Sequence, residues 1–81
     1  MEIAYSKSAQ QALNRMAANR RELIIAKIEQ LASQPAALTA NVASLSGRPG
    51  YRLRVGNVRV IFERAGDRIE ILAIGPRGGI Y

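Results

Sequence analysis

The chain has no cysteine and no histidine. Without thiols, disulfides and thiolate metal sites are excluded. Without imidazole, so are histidine triads, zinc–histidine chemistry and the usual neutral-pH general base. Aromatic residues are few, three Tyr and one Phe in 81 residues, which leaves little for a base-stacking platform. Negative charge is scarce as well, with six Asp+Glu against twelve Lys+Arg. No long hydrophobic run exists: Leu23-Ile24-Ile25 followed by Ala26 is far short of the roughly 20 residues that span a bilayer. The opening residues, MEIAYSKSAQ, form neither the basic nor the apolar region of a secretory signal. A cytoplasmic protein with no membrane partner is expected.

What is present is a hydrophobic content of 48%, enough for a core, in a length expected to make a single domain over residues 1–81. The formal net charge is +6, and ten of the twelve cations are arginine. That excess favours a polyanionic partner, either nucleic acid or an acidic protein. The bias toward arginine sharpens the point, because its planar fork matches phosphate and carboxylate better than the point charge of lysine.

Residues 2–6, EIAYS, read as a short strand, after which Ser6 or Ser8 can cap a helix. Ala9, Leu13, Met16 and Ala17 then make one apolar stripe, and ANRR at 18–21 reads as a break. The stripe resumes with Ile24, Ile25, Ile28, Leu31 and Ala32, and Pro35 ends it. Residues 35–50 show no period and read as a connector, with Leu45 the residue expected to reach the core. Strands are predicted at 51–55, 58–64 and 68–74, turning at Gly56-Asn57 and at Ala65-Gly66-Asp67. The expected fold class is α+β in the order β-α-α-β-β-β, a small, mainly antiparallel sheet packed on a helical hairpin.

The stretch YRLRVGNVRVIF is the unusual part. Strand side chains alternate between faces, so Leu53, Val55, Val58, Val60 and Phe62 share the face the helices must cover. A two-residue loop at Gly56-Asn57 pairs Val55 with Val58, Arg54 with Arg59 and Arg52 with Ile61. Arg52, Arg54 and Arg59 then share the other face, although like charges opposite each other are destabilising. Stems packed on the sheet and ion pairs with Glu63 and Glu70 would account for such a face structurally. A phosphate site accounts for the density of arginine better. The C-terminal GPRGGIY adds Arg77 and Tyr81, as a frayed end or as further site residues beside the arginines.

YRLRVGNVRVIFE, followed by a strand and IGPRGGIY, resembles the RelE/ParE superfamily of toxins from type II toxin–antitoxin systems, and the resemblance covers nearly the whole chain. The RelE branch of that superfamily comprises ribosome-dependent mRNA endonucleases, and the ParE branch poisons DNA gyrase. The RelE-like pattern of basic residues on both hairpin strands, an arginine after the last strand and a C-terminal tyrosine falls on Arg52, Arg54, Arg59, Arg77 and Tyr81. This filling favours the RelE branch. Arginine stands at 52 and 54 where such enzymes often carry lysine, and it holds its proton too firmly to be an easy general acid. The resemblance implies phosphate stabilisation by Arg59 and Arg77, orientation and charge stabilisation by Arg52 and Arg54, and proton transfer or base stacking by Tyr81. It implies no metal and no cofactor. The implied partners are messenger and ribosomal RNA on the ribosome and a cognate antitoxin, in a hetero-oligomer bound to operator DNA through that antitoxin. A ParE-like gyrase inhibitor is the alternative, as is a catalytically weak homologue acting mainly as antitoxin partner.

Overall fold

The computed structural model describes residues 1–76. Strand β1 (Glu2–Tyr5) leads into helices α1 (Lys7–Asn14) and α2 (Ala18–Ser33). A 3-10 segment (Pro35–Asn41) and a short strand β2 (Val42–Ser44) follow. Strands β3 (Tyr51–Val55), β4 (Val58–Ala65) and β5 (Arg68–Pro76) complete the order. They form one sheet, β1-β5-β4-β3-β2. β1 runs parallel to β5 and all other pairs are antiparallel. The α+β class with a helical hairpin on a mainly antiparallel sheet is as the sequence predicts. No helix among the described residues is long and apolar enough to cross a membrane.

Ser6 is the cap of α1. Its Oγ accepts from the Ala9 amide at 3.0 Å, satisfying a donor that the first helical turn leaves unpaired. The same hydroxyl donates to the Leu72 carbonyl at 2.8 Å. Leu72 is where β5 bulges, since Ile61 pairs with Ala73 but Phe62 pairs with Ile71. The residue left over by the bulge thus finds a partner on the helix cap.

The interhelical break lies at residues 15–17, not at 18–21 as predicted. ANRR forms the first turn of α2, where the Arg21 amide donates to the Ala17 carbonyl at 2.9 Å. The chain turns earlier because the Met16 amide closes a tight bond to the Leu13 carbonyl, 3.1 Å, ending α1. Arg21 Nη1 also donates to that carbonyl at 3.4 Å.

Ala9 and Leu13 of α1 and Ile24, Ile28, Leu31 and Ala32 of α2 pack on Leu53, Val55, Val58, Val60, Phe62, Ile69, Ile71 and Ile74. These sheet residues face the helices in the alternation that the sequence predicts. The connector is more structured than its lack of period suggests. It contributes β2, three residues on the sheet edge, and Leu38, which joins the main core at 4% exposure. Leu45 is buried as predicted, though outside that main cluster, and Leu38 is a second connector residue in the core that the sequence reading did not name.

Candidate functional site

The site follows from a hairpin whose turn fixes everything beyond it. Gly56 has φ +58°, and no other residue type takes a positive φ in the described chain. A positive φ at the first central position only is the pattern of a type II′ turn, whose twist suits the flanking strands. The resulting register pairs Val55 with Val58, Arg54 with Arg59, Leu53 with Val60 and Arg52 with Ile61. Arg52, Arg54 and Arg59 therefore lie together on the face turned away from the helices.

Their surroundings differ. Arg54 is exposed and Arg52 half-buried, whereas Arg59 retains only 8% of its surface. Arg59 Nη1 donates to the carbonyls of Gly56, at 3.0 Å, and Val58, at 3.2 Å. Two backbone dipoles of the turn thus compensate the buried guanidinium, which offsets part of the cost of placing it opposite Arg54. Its neighbour on β5 is Gly75, which has no side chain to compete for space. Asn41 Nδ2 reaches the Arg54 carbonyl at 3.4 Å, tying the 3-10 segment to the strand that carries two of the arginines.

Carboxylates do not neutralise Arg54 or Arg59 within the described residues. Glu70 pairs with Arg68 instead, 3.3 Å apart and exposed, a pairing of little energetic weight. The sequence-level account of Glu63 and Glu70 as partners for these two arginines is therefore not what the structure contains. Arg52 also has a polar or electrostatic partner. Arg77 and Tyr81 lie outside the described residues.

The far end of the same face is apolar. Ile61 is 1% exposed although the register turns it away from the helices. The loop at 45–50 comes close there. Gly50 has φ +108°, and a Cβ on it would stand 3.2 Å from the Phe62 carbonyl oxygen and 3.3 Å from Glu63 Cγ. Leu45 Cδ1 lies 3.4 Å from the same point. Leu45 and Ile61 are the buried apolar residues left out of the helix-side core. Ile61 interrupting the run of charged outward positions was the available signal for this cover.

Chemically, the face offers fixed positive charge and hydrogen-bond donors but no metal-binding cluster: no group of three or more Asp, Glu, His or Cys converges among the described residues. The arrangement suits an anion with several oxygens, such as a phosphodiester.

Comparison with known proteins bears on the family and the fold. The model of the family described as ParE toxin of type II toxin–antitoxin system, parDE, matches residues 3–81. A chain of the archaeal RelE–RelB complex from Pyrococcus horikoshii OT3 is 25% identical, with TM-score 0.79, covering 98% of this chain and 97% of that one. A chain of the RelB–RelE antitoxin–toxin complex from Methanococcus jannaschii is also 25% identical, with TM-score 0.71 and coverage of 96% and 94%. The YoeB/ParE toxin from Agrobacterium tumefaciens shares the fold at 20% identity, with TM-score 0.76 and coverage of 95% and 99%. Among curated proteins no sequence match is found.

Proposed function

The chain belongs to the ParE toxin family of type II toxin–antitoxin systems, within the RelE/ParE superfamily, and we propose that it is a ribosome-dependent mRNA endoribonuclease of the RelE-like kind. The observation that carries this reading is the arginine face. Arg52, Arg54 and Arg59 share one side of the hairpin, turned away from the helices, with no carboxylate paired to Arg54 or Arg59 among the described residues. A gyrase-binding protein has no chemical need for that concentration of guanidinium on one strand pair.

The reaction is transesterification. The 2′-hydroxyl of RNA loses its proton and attacks the adjacent phosphorus, the bond to the 5′-oxygen breaks, and that oxygen takes up a proton. A 2′,3′-cyclic phosphate and a 5′-hydroxyl result. Arg52 and Arg54 orient the strand and stabilise the negative charge that builds on the phosphate oxygens. Arg59 and Arg77 stabilise the phosphate, Arg59 from beneath the face while its Nη1 holds the turn. Tyr81 is the group assigned to proton transfer, a phenol being the one side chain among the five that can give up and take back a proton. Lacking histidine, the site has no strong base of its own, so the ribosomal A site is needed to hold the message in line. Ribosomal RNA is in turn a fitting partner for a protein of net charge +6. The RelE chains similar to this one were crystallised with RelB antitoxins, which supports a cognate antitoxin here too.

The family's ParE description favours a second reading, a toxin that binds DNA gyrase. Adding the purified chain to cell-free translation and, separately, to a gyrase supercoiling reaction tests the two together. Translation should stop while supercoiling continues. Inhibited supercoiling with intact translation would reverse the assignment.

A further inference from the structure

A pocket at the tip of the β3–β4 hairpin takes no part in the cleavage chemistry. It lies on the helix side, between the first turns of α2 and the Gly56-Asn57 turn, with a volume of about 340 Å³. Asn19, Arg20, Leu23, Val55, Asn57 and Val58 line it, among others. Val55 and Val58 are members of the main core, and Leu23, 53% exposed, carries that apolar wall outward. The rest of the lining is polar and cationic. The Arg20 side chain is exposed and makes no hydrogen bond or ion pair among the described residues. Asn19 Oδ1 accepts from the Arg20 amide at 2.9 Å, which leaves its side-chain NH₂ as a donor. No acidic residue lines the pocket among the described residues.

The position of this pocket says what it serves. Val55 and Val58 are the chain neighbours of Arg54 and Arg59, whose side chains leave the sheet on the opposite side. Pocket and arginine face are therefore back to back, joined round a two-residue turn. Gly56 belongs to both: it lines the pocket, and its carbonyl accepts from Arg59 Nη1 at 3.0 Å. A Cβ on Gly56 would meet no atom within 4 Å, so the crest of the turn is open. A nucleic-acid strand with one phosphate on the arginine face can round that crest and set a neighbouring nucleotide in the pocket. Arg20 then meets a phosphate, the aliphatic wall takes the face of the base, and the Asn19 and Asn57 amides lie where its polar edge is presented. An acidic peptide matches the charge of Arg20, but it has no use for continuity with a phosphate site.

We infer that this pocket is a nucleotide subsite for the RNA strand held on the arginine face, with Arg20 and Leu23 its principal contacts. The inference rests on the RNA chemistry of the proposed function and adds a second point of attachment, on the other side of the hairpin tip. It makes the hairpin a peg round which the strand bends, rather than a flat surface on which it lies.

The test is fluorescence anisotropy of the full chain with a labelled single-stranded RNA of about ten nucleotides, repeated over a range of salt concentrations. Arg20→Ala should weaken binding about tenfold and lower the slope of log affinity against log salt by about 0.7, the loss of one phosphate contact on a single strand. Leu23→Ser should weaken binding about fivefold with the slope unchanged, because an apolar contact releases no counterion. Arg15→Ala removes an exposed arginine that does not line the pocket, and it should match wild type in both respects. Arg20→Ala indistinguishable from Arg15→Ala, or Leu23→Ser binding as wild type does, would overturn the subsite. Losses seen with the cognate antitoxin but not with RNA would give the pocket to a protein partner and overturn it as well. Binding is read here without cleavage, so the two readings fail separately. RNA held with these affinities and slopes but never cut on ribosomes would contradict the nuclease and uphold the subsite, whereas a wild-type chain that binds no RNA would overturn both.

Discussion

The two faces of strand β4 are built by opposite rules. On one side Val58, Val60 and Phe62 enter a core shared with α1 and α2, and burial is the whole reason for their identity. On the other side Arg59 and Ile61 are buried as well, although the register turns them away from α1 and α2. Arg59 is tied to its own turn, donating to the carbonyls of Gly56 and Val58. Near Ile61 the loop bearing Leu45 and Gly50 passes over the strand. The difference shows that hydrophobic alternation decides which side a residue takes but not how deep it lies. On the second face Arg59 bonds to its turn and a loop passes near Ile61, contacts that alternation alone does not predict.

Substitutions can break this contrast on either side. The largest effect belongs to the helix side: Phe62→Ala removes a side chain that is 2% exposed, together with its stack on Tyr51. A loss of about 3–5 kcal/mol is expected from the cavity and the transfer of the ring, read as a shifted denaturant midpoint. On the arginine face, Arg54→Ala should leave that midpoint unchanged and slow cleavage of ribosome-bound message by about 10²-fold, the scale for removing one preorganised donor. Comparable stability loss with unchanged cleavage would erase the distinction between the faces.

Arg59→Ala falls between the two and sharpens the comparison most. It should cost stability, about 1–2 kcal/mol, by leaving turn carbonyls without their donor, and it should slow cleavage as well. Thermal melts and cleavage rates measured on the same preparation separate the two components. An Arg59→Ala variant as stable as wild type would mean that the turn does not depend on the guanidinium.

The smallest effect concerns pH. Tyr5, half-buried on β1, has its pKa raised above 10.0, first by burial and then by the carboxylate of Glu29. With the folded pKa above the unfolded one, the tyrosine's contribution is fully present below pH 10.0 and is lost as pH rises through the folded pKa. Urea midpoints of Tyr5→Phe should therefore fall less steeply than those of wild type above that pH. Parallel curves would remove Tyr5 from the account.

Much of the fold was legible because the hairpin obeys two strong local signals. Alternating Val, Leu and Phe with a Gly-Asn pair between them fixes both register and face, and the observed pairing of Arg54 with Arg59 is the predicted one. The helical stripes were equally clear, but the break between them was displaced toward ANRR by Met16 and Ala17. Those two residues continue the apolar period, while the backbone has already turned at Leu13–Met16. Strand β2 was hidden for another reason. Three residues on a sheet edge are too few for alternation to register, and their stability comes from pairing with β3 rather than from propensity. At the site, sequence told which arginines share a face. It could not tell that Arg59 folds back on its own turn, because that depends on the depth of the strand centre and on Gly75 beside it.

The central claim is that the arginine face cuts RNA. The most direct measurement is primer extension on an mRNA programmed on ribosomes, with the wild-type chain beside Arg54→Ala. Cuts within the A-site codon, absent from naked RNA and strongly reduced in the variant, are the result this account expects. Intact message with the wild-type chain, or equal cutting by Arg54→Ala, would contradict it.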